Sequence, residues 1–284
     1  MLNTETIRWP APAKLNLFLY INGQREDDYH ELQTLFQFID LCDYLTVTAN
    51  LTGEITLTPE IKDLPASDNL IFKAAQLLQK YSDKPVGANI NIEKNLPMGG
   101  GLGGGSSDAA TTLLALNYHW DLKLTKKQLA KIGLSLGADL PIFIEGKASI
   151  AEGVGELLTP VFPTENNYLI ATPACHISTP AIFKDKQLIR NTKKITIDQL
   201  LAQKWQNDCE PCVKNNYPKV AKVIDWLIEY APTRLTGTGA CVFSTFATAQ
   251  EAQVVLDKSP TWLTAFSCKG LNTSPVNELL STLK

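Results

Sequence analysis

Between Gly99 and Gly105, six of seven residues are glycine, inside the stretch LPMGGGLGGGSSDAATTLLALN (Leu96–Asn117). A glycine held in one conformation costs roughly 0.5–1 kcal/mol more than an alanine. A chain that concentrates this penalty needs a place where something approaches its backbone closely. The alternating segment GANINIEKN (Gly87–Asn95) before the run predicts a strand. After it, Ala109, Leu113, Leu116 and Trp120 fall on one face of a predicted helix. Strand, glycine turn and helix start together make an anion site, because unpaired N–H groups and the helix dipole point at one spot. Ser106 and Ser107 add hydroxyls for phosphate oxygens or for Mg²⁺.

Two familiar phosphate loops fit poorly. A Walker loop needs Lys-Ser or Lys-Thr after its glycines, and neither follows here. The dinucleotide fingerprint G-x-G-x-x-G matches formally at Gly99, Gly101 and Gly104, which leaves a dinucleotide-dependent oxidoreductase as an alternative. It also requires an acidic residue after the next strand, about 20 residues on, and that distance lands near Asp121 in a helix–helix connection.

The net charge of −3 over 284 residues argues against a nucleic-acid partner or an anionic membrane surface. An anionic ligand must therefore be held locally. No window reaches the roughly 18 uninterrupted apolar residues of a membrane span, and the N-terminus lacks a signal-peptide pattern. The expectation is a soluble cytoplasmic protein. Its six cysteines then read as reduced thiols, including the lone pair Cys209-Glu-Pro-Cys212.

Along the first half, Lys14–Ile21 and Leu32–Ile39 read as strands, with YLTVTA and GEITLTP as a further pair. Asn69–Tyr81 has helical spacing, with Ser67, Asp68 and Asn69 as candidate caps. Thr125 to Gln128 is a capping-box pattern for a helix burying Leu129, Ile132 and Leu136. GADLPIFIEGKASIAEGVGE reads as a turn followed by strand-like segments. Beyond Pro160, YLIATP, ACVFSTF and WLTAFSCKG are strands. STPAIFKD is a capped short helix, and Pro218–Ala231 and Thr248–Lys258 are helices. The alternation suggests a split βαβ layer, with a boundary inside Gly153–Pro163.

Three stretches carry a specific resemblance. PMGGGLGGGSSDAA (Pro97–Ala110) resembles the phosphate-binding motif of the GHMP small-molecule kinases. PAKLNLFL (Pro12–Leu19) resembles that family's first motif, and RLTGTGACVF (Arg234–Phe243) its third, in the family's order. The resemblance implies an α+β fold of two domains. Residues 1–157 would form an ATP-binding and catalytic domain like domain 2 of ribosomal protein S5. Residues 158–284 would form a ferredoxin-like, substrate-side domain. GQREDDYHELQTLFQFIDLCD (Gly23–Asp43), LGADLPIF, AEGVGE and STPAIFKD are similar to segments of one member that recognises cytidine. The implied reaction is ATP-dependent phosphorylation of a tertiary hydroxyl in a cytidine diphosphate derivative of a methylated tetritol, in non-mevalonate isoprenoid synthesis.

By the same resemblance Asp139 is the proton acceptor and Lys14 its active-site partner, polarising the hydroxyl. Asn16, two residues on, shares the strand face of Lys14 and is a substrate ligand. Tyr29 stacks on the cytosine, His30 reads its polar edge, and Phe183 stacks on the opposite face. Thr179 contacts Lys14 or the substrate. Gly99, Gly100, Gly101, Leu102, Gly103, Gly104, Gly105, Ser106 and Ser107 hold the phosphates, and Pro97 and Met98 also belong to the ATP site. Asn69, Lys94 and Leu96 belong near the adenine, and Thr236, Gly237, Thr238 and Gly239 close over the phosphates or the substrate. Mg²⁺ arrives as MgATP, with Ser106 a candidate ligand. Another alcohol (mevalonate, a sugar or homoserine) stays open as substrate, as does a catalytically dead nucleotide-binding regulator.

Overall fold

The structure is a computed structural model that describes residues 2–59, 65 and 68–283. Two long strands dominate the first half. β1 (Ile7–Gln24) and β2 (His30–Asn50) pair antiparallel along nearly their whole length, from Ile7↔Val47 to Gln24↔His30. Register shifts interrupt the ladder between Pro12 and Lys14 and between Asn16 and Leu19. Such irregularities re-aim side chains, and here they bracket Lys14 and Asn16. Lys14 thus lies well inside β1 rather than at a strand end.

The chain continues through β3 (Ile55–Thr58), α1 (Leu70–Gln79), β4 (Gly87–Glu93), α2 (Gly104–His119), α3 (Lys126–Leu134) and α4 (Leu140–Glu145). β5 (Ser149–Gly153) and β6 (Leu157–Pro160) then form a hairpin. The other edge of β2 is shared. Its end from Tyr44 to Asn50 takes β4, and Leu32–Phe36 takes β5. YLTVTA is therefore the far end of β2. GEITLTP supplies β3, which pairs parallel to β4 and not with β2. The two segments are neighbours in sequence but not in the sheet, because β4 inserts between them.

Local signals account for the helices. Asn69 caps α1, its side chain accepting from the Ile71 N–H at 2.9 Å; Ser67, another candidate cap, lies outside the described residues. Thr125 and Gln128 form the reciprocal box at the start of α3. α4 corrects the strand-like reading of DLPIFIE. Pro141 sits in the first turn, where its fixed φ suits a helix, and Gly146 ends it at φ 70°. Leu140 to Ile144 are all buried, so no polar face marked the periodicity. α2 is likewise buried on nearly every side, from Ser107 to Leu116, rather than along one stripe. It packs against α1, α4, β1 and β2, and its small residues Ala109, Ala110 and Ala115 allow that close approach.

The second half runs β7 (Asn167–Thr172), α5 (Thr179–Phe183), α6 (Ile197–Ala202), α7 (Glu210–Asn216), α8 (Pro218–Leu227), β8 (Thr233–Leu235), β9 (Val242–Phe246), α9 (Ala249–Leu256), β10 (Thr264–Leu271) and α10 (Pro275–Thr282). Ser178 occupies the N-cap position of α5 but makes no side-chain cap bond. β10, β7, β9 and β8 lie side by side, all antiparallel. β10 also reaches β2 at Ile39 and Phe38, which joins the two layers.

One core lies under α1 to α4, around Trp9, Phe38, Leu113 and Phe143. A second lies among α7, α8, α9 and the far sheet. A third welds the halves, with Leu15, Phe18 and Ile39 against Tyr168, Ile170 and Phe243. α10 returns to the first core, burying Val276 with Leu279 and Leu280 beside it. Among the described residues no helix is long and apolar enough to cross a membrane.

Candidate active site

The glycine loop is stitched to both halves. Leu102 O accepts from the Lys14 N–H at 3.0 Å, and Gly100 O accepts from the Cys241 N–H at 3.0 Å. Two positions show why the loop needs glycine. Gly101 has φ 78°, and a Cβ there would lie 2.5 Å from Thr236 O. Gly103, the residue before α2, has φ 75°, and its Cβ would lie 2.7 Å from Phe143 and 3.1 Å from Lys14 Cε. The loop can therefore lie flat between β1, α4 and the 236–241 turn while its amides stay clear.

In front of it opens a cavity of about 660 Å³, within the range of small-molecule sites. Lys14, Asn16, Asn69, Lys94, Pro97 through Ser106, Asp139, Thr179, Phe183, Gly237 and Thr238 line it. Most of the residues singled out in the sequence thus converge, from segments widely separated along the chain.

Lys14 is the pivot. Its side chain is 3% exposed. The ammonium donates to Asn16 Oδ1 at 2.6 Å and Gly101 O at 3.2 Å, and lies 3.4 Å from Asp139 Oδ2. Asp139 stands just before α4, does not cap it, and keeps its carboxylate partly open to the cavity. Asn16 is held in turn: Nδ2 donates to Thr34 Oγ1, and its backbone N–H donates to Thr236 Oγ1. Thr236 is therefore fully buried under the site, and Gly239 packs against Ile177 and Leu235. Gly237 and Thr238 are the members of that turn on the cavity wall. Thr179 bonds Thr238 at 2.9 Å and not Lys14.

Lys94 is clamped beneath the loop by Asp43 and by Asp108, the latter at 2.8 Å. Asp43 also accepts the backbone N–H groups of Asn95 and Leu96. Burial pulls the Lys94 ammonium down, but the two carboxylates more than reverse it and leave it above its ordinary value. Burial pushes the Asp108 carboxyl up, Lys94 only partly offsets this, and Asp43 adds to it. Asp108 Oδ1 and Ser107 Oγ are buried with no partner among the described residues. Ser107 and Leu96 are interior residues, off the cavity wall. The sequence reading missed Asp43 and Asp108. Their signal was an acid inside an apolar strand and another inside an apolar helix.

The base-recognition trio is arranged differently from a sandwich. His30, 6% exposed, stacks directly on Phe183, with centroids 4.9 Å apart and planes at 29°. Tyr29, at the β1–β2 turn, is 60% exposed and off the cavity wall. Arg190, also missed, donates to His30 Nε2 and to the carbonyls of Phe183, Asp185 and Leu188. Nothing local in the sequence marked it. The six cysteines are free; Cys209 and Cys212 are buried together at the start of α7.

The dinucleotide alternative fails on topology. After the glycine loop the chain runs α2, α3 and α4, and no strand follows until Ser149, so Asp121 cannot occupy a strand end. Comparison with known proteins points elsewhere. Residues 69–147 match the GHMP kinases N terminal domain, and residues 186–261 match the GHMP kinases C terminal domain. A 4-diphosphocytidyl-2-C-methyl-D-erythritol kinase of Psychromonas ingrahamii is 69% identical over all 284 residues, covering 100% of both chains. One of Shewanella loihica is 57% identical over 97% of this chain and 98% of its own. A crystal structure of 4-(cytidine 5'-diphospho)-2C-methyl-D-erythritol kinase superposes with a TM-score of 0.82 at 28% identity, covering 93% of this chain and 99% of that one. A Methanococcus jannaschii mevalonate kinase shares the fold, with a TM-score of 0.68 at 18% identity, covering 95% and 99%. With both family domains matched and a relative of this identity running end to end, the chain belongs to the GHMP kinase family and is an ATP-dependent small-molecule kinase.

Proposed function

We propose that the chain transfers the γ-phosphoryl group of ATP to the 2-hydroxyl of 4-diphosphocytidyl-2-C-methyl-D-erythritol, giving the 2-phosphate and ADP in the non-mevalonate isoprenoid route. The observation that carries the chemistry is the Lys14–Asp139 pair, 3.4 Å apart at the lip of the glycine loop. The substrate assignment rests on the near full-length identity to kinases so named.

Phosphoryl transfer needs alignment, charge neutralisation and a proton acceptor. The substrate oxygen attacks the γ-phosphorus, the bond to the β,γ-bridging oxygen breaks, and ADP leaves. Asp139 accepts the hydroxyl proton. Lys14 is fixed by Asn16 and Gly101 O, so its positive charge does not follow the substrate. It polarises the hydroxyl and offsets charge that builds as the group moves. The amides of Gly99–Gly105 and the start of α2 hold the phosphates. Asn69 and Lys94 stand at the adenine end, and Gly237 and Thr238 close the substrate side. Tyr29, His30 and Phe183 take the cytosine, with Tyr29 folding in from its exposed turn.

Ser106 Oγ, on the cavity wall, is a hard oxygen donor of the kind Mg²⁺ accepts. Among the described residues no cluster of three or more His, Cys, Asp or Glu side chains could hold a metal. Magnesium would arrive with the nucleotide, with Ser106 as a protein ligand; bound there, it would neutralise phosphate charge. We place the functional division at 157/158, with ATP chemistry in the first part and the substrate side in the second, to which Asn16, Tyr29 and His30 reach across from the first, and the reaction in the cytoplasm.

The test is ADP release with MgATP across a panel of alcohols. The cytidine substrate is expected to exceed mevalonate, galactose and homoserine. Faster turnover of any of these would overturn the assignment.

A further inference from the structure

Arg190 lies outside the catalytic pair and outside the cavity wall, yet it spends its guanidinium on one small region. Nη2 donates to Phe183 O and Asp185 O, both at 2.7 Å, and Nη1 donates to Leu188 O at 3.2 Å. The remaining Nε–H donates to His30 Nε2 at 3.2 Å. An arginine cannot accept a hydrogen bond and does not lose its proton. His30 Nε2 must therefore present a lone pair, and a neutral ring with that lone pair carries its proton on Nδ1. Among the described residues Nδ1 has no protein partner, and it is absent from the buried unpartnered atoms, so it stays accessible beside the Phe183 ring.

We propose that Arg190 is a positioning residue for base recognition: it holds His30 as the Nδ1–H tautomer, and that N–H donates to the acceptor edge of a cytosine and discriminates against uracil. This rests on the cytidine reading above. N3 of cytosine offers a lone pair where N3 of uracil carries a hydrogen, so a fixed donor bonds the one and opposes the other. Because the same guanidinium holds Phe183 O, the stacking wall and the edge reader move as one body. Burial, and then the Arg190 charge, hold the His30 imidazole below its ordinary value, while nearby Asp28 acts weakly in the other direction. The neutral ring is consistent with the hydrogen-bond geometry.

The tautomer is measurable without any substrate. The full chain has three histidines, and in a long-range ¹H–¹⁵N spectrum at pH 7.5 the His30 signals are assigned by their loss in His30→Gln. A protonated Nδ1 with an unprotonated Nε2 is expected; an Nε2–H ring or an imidazolium overturns the proposal. Arg190→Met should release the ring toward the Nε2–H form, and an unchanged Nδ1–H pattern in that variant removes Arg190 from the role. CDP and UDP are then titrated into the unaltered protein. CDP is expected to shift the Nδ1–H signals and to bind about tenfold tighter than UDP, the worth of one hydrogen bond. Arg190→Met should bring the ratio toward one, whereas a purely structural role would weaken both nucleotides equally. Equal response to CDP and UDP in the unaltered protein overturns the recognition half. If neither nucleotide moves His30 while the tautomer is as stated, the cytidine reading itself fails. The comparison of CDP with UDP affinity in the unaltered protein needs no variant to fold.

Discussion

Lys14 and Asp139 form an unequal pair: the ammonium is buried, while the carboxylate 3.4 Å from it is more than a third open to solvent. The lysine is anchored by Asn16 and by the glycine-loop carbonyl of Gly101. The acid stands at the start of a short helix that it does not cap. One partner is thus a fixed charge, and the other is free to meet a hydroxyl.

That asymmetry sets the first prediction. Asp139→Ala should lower turnover at least ~10²-fold, the usual worth of a general base, while ATP affinity by calorimetry stays nearly intact. Wild-type-like ADP release in this variant would remove Asp139 from the mechanism.

The glycine loop supports a paired prediction. Gly103 needs a positive φ and has Phe143 and Lys14 where a Cβ would go. Gly103→Ala should therefore destabilise the fold by about 1–3 kcal/mol, the range for backbone strain of this kind, and weaken ATP binding. Gly105 meets only Leu70 at 3.8 Å and has no positive φ, so Gly105→Ala should leave thermal stability unchanged or slightly raised. Thermal melts with and without ATP check both; equal melts for the two variants would contradict the steric account.

Asn69 both caps α1 and lines the cavity, and substitution separates the two jobs. Asn69→Ser keeps a capping oxygen, whereas Asn69→Ala should cost about 1 kcal/mol of stability. A raised KM for ATP in the serine variant, with an unchanged melt, marks a nucleotide contact. An unchanged KM assigns Asn69 to the helix alone.

Two carboxylates share one ammonium beneath the loop, and the consequence appears in pH dependence. Burial raises Asp108 from 3.8 to about 7 in the fold. A carboxyl raised on folding contributes stability below its unfolded value and loses it as pH rises through the folded one. Asp108→Asn removes this loss and leaves Lys94 paired with Asp43. The variant should gain stability over the parent as pH goes from 5 to 8, by chemical denaturation at each pH. A gap that narrows over that range would reverse the assigned direction.

Much of this was legible in the chain. The loop from Gly99 to Gly105, the cap at Asn69 and the box from Thr125 to Gln128 are local devices. Their backbone consequences follow from a few neighbouring residues whatever surrounds them. The segment Leu140–Glu145 was misread because Leu140 to Ile144 are all buried, and an unbroken apolar run carries no period. The pairing of β3 with β4, and the stacking of His30 directly on Phe183 in place of an open sandwich, were beyond any local signal.

The sequence by itself determined which residue types stand ready for phosphoryl transfer, and where the backbone must open to admit an anion. Only the tertiary structure decided that Lys14 meets Asp139, that Lys94 is held by Asp43 and Asp108, and that Arg190 turns His30 into a one-sided donor. These pairs join segments 14 to 160 residues apart along the chain. Their geometry is set by packing between elements, and no local propensity encodes it.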